Sequence, residues 1–240
     1  MVKISIITVV KNDVHNIGKT IKSVLSQNYK DYEYIIIDGN SVDGTSRIIE
    51  QYKKKLIYIK GKDKSIYDAL NKGIKFARGN YIGIIHSGDT YKNNHILYSI
   101  SKDLVSEDLV SYNMDYIKKN KIIRKWNLKL NKLTQFNFFY IAHPTLFIKR
   151  AIFKRRKYSL KYKIASDTDF LCYLSKKSNL KYKYCNKTIM RCLYGGVSTS
   201  GSFFLKKFKE DLDIFFDHFG FKGIFLLIFK ILIKIKSFII

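Results

Sequence analysis

At 240 residues, with 46% hydrophobic and 15% aromatic side chains, the chain can bury a full core and does not belong to the disordered classes. Its 45 Lys and Arg against 19 Asp and Glu give a formal net charge of +26, which biases it toward anionic partners: nucleic acid, acidic lipid head groups or phosphorylated substrates. Part of that charge is compositional, because Lys, Ile, Asn and Tyr dominate throughout while Pro occurs once, so nucleic-acid binding is not expected.

The N-terminal run Lys3 to Val10 is β-branched and passes into polar Lys11-Asn12-Asp13 without a cleavage site. It reads as a first buried strand rather than a signal peptide, and the cytoplasm is the expected address. Val14, Ile17, Ile21, Val24 and Leu25 then mark one face of a helix over 14–27. A second strand, Tyr34 to Ile37, ends at Asp38-Gly39-Asn40, and Ser41 or Asp43 caps a helix reaching about Tyr52. Leu56 to Ile59 is a third strand. Ser65 to Ala77 is a third helix, with Gly79 suited to a left-handed position after it. Tyr81 to Ile85 is a fourth strand, stopping at His86-Ser87-Gly88-Asp89.

Apolar strands alternating with amphipathic helices predict an α/β fold with a mostly parallel sheet flanked by helices. In such sheets ligands bind at the carboxyl ends of the strands, where Lys11-Asn12-Asp13, Asp38-Gly39, Lys62-Asp63 and Ser87-Gly88-Asp89 all fall. Further on, strands are expected at Leu109–Tyr116 and Ile122–Trp126 around a Lys119-Asn120 turn, at His143–Ile148, and a short helix after Ser166. Cys172, Cys185 and Cys192 are odd in number and lack CxxC spacing, so neither a disulfide framework nor a zinc site is expected.

From Phe221 to Ile240 the sequence is mostly large and apolar with four lysines. On a wheel at ~100° per residue, Lys222, Lys230, Lys234 and Lys236 fall within roughly 160° of arc. A spanning helix needs ~20 apolar residues and is penalised by central lysines. The reading is an amphipathic helical tail lying on a membrane surface, its lysines at head groups. A helix covered by the catalytic domain or by a second subunit is the alternative.

Several motifs together resemble the family 2 inverting glycosyltransferases of the GT-A fold, in particular bacterial surface-polysaccharide enzymes. The carriers run from Ser5-Ile6-Ile7-Thr8 with Asn12, through Ile35 to Thr45 and Ile66-Tyr67-Asp68-Ala69-Leu70-Asn71-Lys72-Gly73-Ile74, to Ala77–Gly83, His86–Asp89, His143-Pro144 and Ala165-Ser166-Asp167. The resemblance implies a hexosyltransferase using a nucleotide-diphosphate sugar, a UDP-sugar above all, and a glycan or lipid-linked acceptor. It divides the chain into a nucleotide-sugar half at 1–110, an acceptor and catalytic half at 111–202, and the tail at 203–240. Thr8, Asn12, Asp38, Gly39 and Asp63 are then expected around the nucleoside, with Asp68, Asn71, Lys72 and Ser87 toward the donor. A carboxylate after a strand accepts from a base N–H or a ribose hydroxyl, although Asp43 suits helix capping, and Asp68 and Lys72 have the spacing of a surface ion pair. Asp89 is the metal candidate for Mg2+ or Mn2+, which neutralises a departing diphosphate. His86 stands where a first acidic residue is usual, and would favour Mn2+ if it ligates.

Inverting displacement needs a carboxylate to take the acceptor proton. Asp167 matches the base of the family's Glu-Asp pair, Ser166 standing where the glutamate would be, and Asp169 is its competitor. His143 either lines the acceptor site or is a buried structural histidine, and Gly195-Gly196-Val197-Ser198 is a candidate loop over the diphosphate. Rival readings are a nucleotidyltransferase, disfavoured by missing GxGxxG and GxxxxGK[ST] loops, and a non-catalytic basic module for membrane or nucleic acid. The expected location is the cytoplasm, at the inner face of the plasma membrane.

Overall fold

The computed structural model describes residues 4–127, 132–195 and 201–236. β1 (Ile4–Val10) is buried along its whole length and pairs in parallel with β2 (Tyr32–Asp38) and β4 (Tyr81–Ile84). β3 (Ile57–Lys60) pairs with β2, also in parallel. Successive residues of these strands face opposite sides, so Ile7, Val9, Ile35 and Ile37 enter one core and Ile4, Ile6, Tyr34 and Ile36 the other. The first core is closed by α3 (Ile66–Phe76), α5 (Arg150–Arg155) and α6 (Ser166–Ser175). The second is closed by α1 (Ile17–Leu25), α2 (Thr45–Glu50) and α4 (Ile96–Asp103). A strand buried on both sides has no face for free polar groups, which is why ISIITVV does not alternate and why its two hydroxyls, Ser5 and Thr8, are each hydrogen-bonded within the protein.

The remaining strands extend the same sheet: β5 (Thr90–Tyr91), β6 (Leu109–Lys118), β7 (Lys121–Trp126), β8 (Phe147–Lys149) and β9 (Tyr182–Leu193). The order is β3-β2-β1-β4-β8-β6-β9-β5, with β7 on β6. β8 runs antiparallel to β4 and β6, whereas β9 is parallel to β6. Lys119 and Asn120 turn the β6–β7 hairpin with φ of 48° and 62°, the positive values a tight hairpin turn requires.

Two local expectations change, and one strand lies where none is expected. His143–Thr145 is a 3-10 turn with Pro144 inside it, and only Phe147–Lys149 pairs as a strand. Gly79 does not take left-handed backbone; it is needed because a Cβ there would lie 2.6 Å from the Ser5 amide nitrogen. β9, twelve residues long, carries lysines and asparagine among its apolar positions and gives no clear strand signal in sequence.

The expected single tail is two helices, α7 (Gly201–Phe219) and α8 (Lys222–Lys236), folded back on each other and onto α6. Ile214, Phe215, Leu226 and Leu227 are buried in the first core. Lys230 does not lie at a polar outer face as the wheel suggested. It is buried, with its ammonium 2.9 Å from Asp211 and 3.3 Å from the Thr168 hydroxyl. A buried ammonium needs a buried carboxylate, and Asp211 supplies it. The helices touch at Gly223, where an added Cβ would strike the Phe215 carbonyl. Gly223→Ala should therefore cost ~1–3 kcal/mol, read as a Tm lower by several degrees in thermal denaturation. Among the described residues no helix is long and apolar enough to cross a membrane. All three cysteines are buried and free.

Candidate active site

The loops after β1 and β2 are laced together by the residues the sequence placed there. Asn12 takes φ 52°, donates its amide to Ser41 Oγ at 2.8 Å, and accepts from the Val42 amide at 3.0 Å. Asp43 accepts from the amides of Thr45 and Val14 at 3.0 and 3.1 Å, which is the capping role. Asp38 is wholly buried: Oδ1 accepts from the Ser41 amide at 2.9 Å, and Oδ2 from the hydroxyls of Ser46 at 2.6 Å and Tyr58 at 2.9 Å. Burial would raise its pKa, but those hydrogen bonds prevail and hold the carboxyl below its ordinary value. Gly39 is buried beside Lys11, its position tied by the Gly39 amide to the Val10 carbonyl at 2.8 Å.

Other expected donor residues are engaged within the fold. The Thr8 hydroxyl is inaccessible, donating to the Ile85 carbonyl at 2.8 Å and lying 3.0 Å from the Tyr34 hydroxyl. Asp68 accepts from the Lys64 amide at 3.0 Å while Ser65 accepts from the Asp68 amide at 3.2 Å, a reciprocal cap at the start of α3. Lys72 therefore pairs not with Asp68 but with Asp63, and also reaches the Lys62 carbonyl at 2.7 Å. Asn71 clamps the backbone of Tyr158, donating to its carbonyl at 2.9 Å and accepting from its amide at 3.0 Å. Asn71→Ala should accordingly lower stability by ~1–3 kcal/mol and leave nucleotide affinity nearly unchanged, separable by thermal denaturation and calorimetric titration. Ser87 Oγ and Asp63 Oδ2 are buried without a protein partner, which leaves them available to a ligand.

The turn after β4 carries Asp89. β5 pairs with β9, and this brings the Leu193 amide 3.0 Å from Asp89 Oδ1. Asp89 is only 6% exposed, and burial pushes its carboxyl up to about 7, against the hydrogen bonds from Leu193 and Cys192 that lower it. Burial, with His143 nearby, pushes His86 down to about 4, so its imidazole is neutral at physiological pH. Among the described residues no three His, Cys, Asp or Glu side chains converge on a metal position. Asp89 thus offers a single carboxylate, which suits a cation whose other ligands are phosphate oxygens.

Asp167 stands in the first turn of α6, partly exposed. Its Oδ1 lies 3.0 Å from the Tyr67 hydroxyl, which also has the Ile164 carbonyl at 2.8 Å, and accepts from the Thr168 amide at 2.9 Å. Burial favours the neutral acid, but Lys207, then His143, Lys230 and the Tyr67 hydroxyl, bring the carboxyl down to about 2. The charge of Asp167 is felt at His86 and His143, and both Asp167 and Asp89 act on the Tyr116 phenol, so the two carboxylates lie within electrostatic reach of common neighbours. Asp169 is committed elsewhere: it is buried, 2.8 Å from Arg156 and 2.9 Å from His218. His143 is buried with Nε2 2.7 Å from the Tyr158 hydroxyl, which fits the structural alternative. Gly196, Val197 and Ser198 lie outside the described residues.

Asp167 is also supported from a segment distant in sequence. Glu210 on α7 accepts from the amides of Lys163, Ile164 and Ala165 at 3.1, 2.8 and 2.9 Å, fixing the segment that leads into α6. Nothing local in sequence links residue 210 to residues 163–165.

The profile described as Glycosyl transferase family 2 matches residues 5–183. An uncharacterised glycosyltransferase of Mycobacterium tuberculosis is 25% identical over 205 residues, covering 82% of this chain and 76% of its own. The Escherichia coli glucosyltransferase WfaP, named for UDP-Glc and α-D-GlcNAc-diphosphoundecaprenol, is 35% identical over 122 residues, half of this chain and 49% of its own. Among solved structures, residues 1–349 of Staphylococcus aureus TarS with UDP superpose with a TM-score of 0.71 at 18% identity, over 94% of this chain and 69% of TarS 1–349. The Pyrobaculum calidifontis mannosyltransferase PcManGT, solved with GDP-Man and Mn2+, gives a TM-score of 0.66 at 14% identity, over 89% of this chain and 63% of its own. The chain belongs to glycosyl transferase family 2 and has the GT-A fold.

Proposed function

We propose that the protein transfers a hexosyl group from a UDP-sugar to a glycan or lipid-linked acceptor, with inversion, in surface polysaccharide biosynthesis. One observation carries the reading: the parallel strands β1, β2 and β4 bring the loops holding Asn12, Asp38 and Asp89 to one edge of the sheet, and Asp167, partly exposed and ionised, is held beside α3 of that same half by the Tyr67 hydroxyl. Support for UDP comes from TarS, solved with UDP and with UDP-GlcNAc. The acceptor class rests on WfaP and on the 33%-identical TuaG of Bacillus subtilis, a putative teichuronic acid biosynthesis enzyme matched over 39% of this chain and 38% of its own.

In this reading Asp167 accepts the proton of an acceptor hydroxyl as its oxygen attacks the anomeric carbon. The bond to the diphosphate breaks on the opposite face, and the diphosphate leaves with the electron pair. A carboxyl at about 2 is a weak base in the ground state, so the proton moves late, once the attacking oxygen has become acidic. Tyr67 aims the carboxylate. Mg2+ or Mn2+ bound through Asp89 would supply neutralisation of the leaving diphosphate. Such a donor and a diphospholipid acceptor would meet at the inner face of the plasma membrane, which we assign as the location.

The test is thermal denaturation with UDP, GDP and CDP, each with and without Mn2+. The largest stabilisation is expected with UDP and Mn2+ together. No stabilisation by any nucleotide would rule the reading out, and a larger effect of GDP would move the donor class.

A further inference from the structure

α8 is apolar on both sides. Its inner side, Leu226, Leu227 and Lys230, packs on the catalytic domain. On the opposite side Phe225 is 75% exposed, Leu232 57% and Ile228 51%, with Phe221 just before the helix 78% exposed and Phe229, whose ring also meets Phe139 edge-on, 47%. At ~100° per residue these five lie within roughly 100° of arc, centred opposite the buried three. Phe216 of α7, itself half exposed, meets Phe221 edge-on at 5.6 Å and continues the patch around the turn. Isolated exposed apolar residues need no explanation, but a contiguous aromatic and aliphatic face does.

We propose that this outer face of the α7–α8 hairpin seats the protein on bilayers containing anionic lipid. Charge selects the occupant. The chain carries +26, and Lys206, Lys209 and Lys222 are exposed on the hairpin against Asp213 and Asp217, the latter paired with Lys161. A second copy would bring +26 against +26, whereas an anionic leaflet brings the opposite sign. The polarity is the reverse of the sequence expectation: the apolar side faces out, and the central lysine faces in. Lys230 joins α8 to Thr168, the neighbour of Asp167, so docking would hold the base within about two helix diameters, ~20 Å, of the lipid surface. That distance suits the lipid-linked acceptor of the proposed function, although docking itself does not require it.

The experiment is co-flotation of the full chain with phosphatidylcholine vesicles, pure or containing about one third phosphatidylglycerol, at low and high salt. Binding is expected to the anionic vesicles and to weaken with salt. The variant F225E/L232E should bind about tenfold more weakly with unchanged Tm, since both side chains point into solvent; F225S/L232S is the milder substitute should folding suffer. Stabilisation by UDP and Mn2+ should be the same in variant and parent, which separates docking from donor recognition. Failure to float with anionic vesicles, or equal flotation of parent and variant, overturns the proposal. A dimer in light scattering that F225E/L232E dissociates overturns it in favour of a second copy.

Discussion

Asp167→Asn is expected to lower the transfer rate by ~10²–10⁴-fold while leaving stabilisation by UDP and Mn2+ intact. The amide keeps an oxygen for the Tyr67 hydroxyl and the Thr168 amide, both presently bonded to Oδ1, so the start of α6 should hold its geometry. Only the negative charge and the proton-accepting oxygen are removed. Asp169→Asn provides the contrast. It breaks a buried pair with Arg156 and His218, and should cost up to ~3–5 kcal/mol of stability because the partners lose their carboxylate. Its remaining folded fraction should turn over at a near-normal rate. One substitution thus removes chemistry at a cost of about 2 kcal/mol or less in stability, and the other stability without chemistry. A rate retained in Asp167→Asn would place the base elsewhere. Because the carboxyl of Asp167 is lowered to about 2, its stabilising charge is lost only as pH falls through that value, well below any assay range.

The donor half was readable because its signals are local. A run as apolar and β-branched as Ile4–Val10 favours a strand buried on both faces, whereas the pairing of Asp68 with the Ser65 cap, rather than with Lys72, is seen only in the structure. The same locality explains what was misassigned. Sequence shows that Thr8 and Asn71 lie near strand ends and a helix start, but not that one faces the core and the other clamps Tyr158. The catalytic half depends on contacts between distant segments. Asp89 meets Leu193 across β9, and Glu210 holds the residues before Asp167 from a helix that begins at Gly201. For α8 the wheel separates lysines from apolar residues but does not say which arc turns inward. That was decided by Asp211, a buried carboxylate on the neighbouring helix.

Asp89→Asn should stabilise the ligand-free protein and abolish the Mn2+-dependent part of nucleotide binding. The carboxyl is 6% exposed and raised from its ordinary 3.8 to about 7 by burial. A group whose folded pKa is raised binds its proton more tightly when folded. The stability it contributes is therefore fully present below the unfolded value and is lost as pH rises through about 7. The full difference between 3.8 and about 7 corresponds to ~4 kcal/mol at most, felt above that pH. An asparagine accepts the Leu193 amide without the charge, so Tm measured near pH 8 should rise by several degrees relative to the parent, and the gain should shrink as pH falls below about 7 and vanish only below the unfolded value of 3.8. With Mn2+ and UDP the order should invert, because a cation beside the carboxylate offsets the burial that the parent tolerates. The same proton competes with the metal: as pH falls through about 7, the parent should need more Mn2+ for half-maximal stabilisation by UDP. Since Asp167 stays ionised throughout, excess Mn2+ should restore the acid limb of activity; a limb indifferent to metal would assign that titration to another group. A Tm unchanged near pH 8 would show that Asp89 is not strained by its burial, and a metal effect that survives the substitution would remove Asp89 from the metal site.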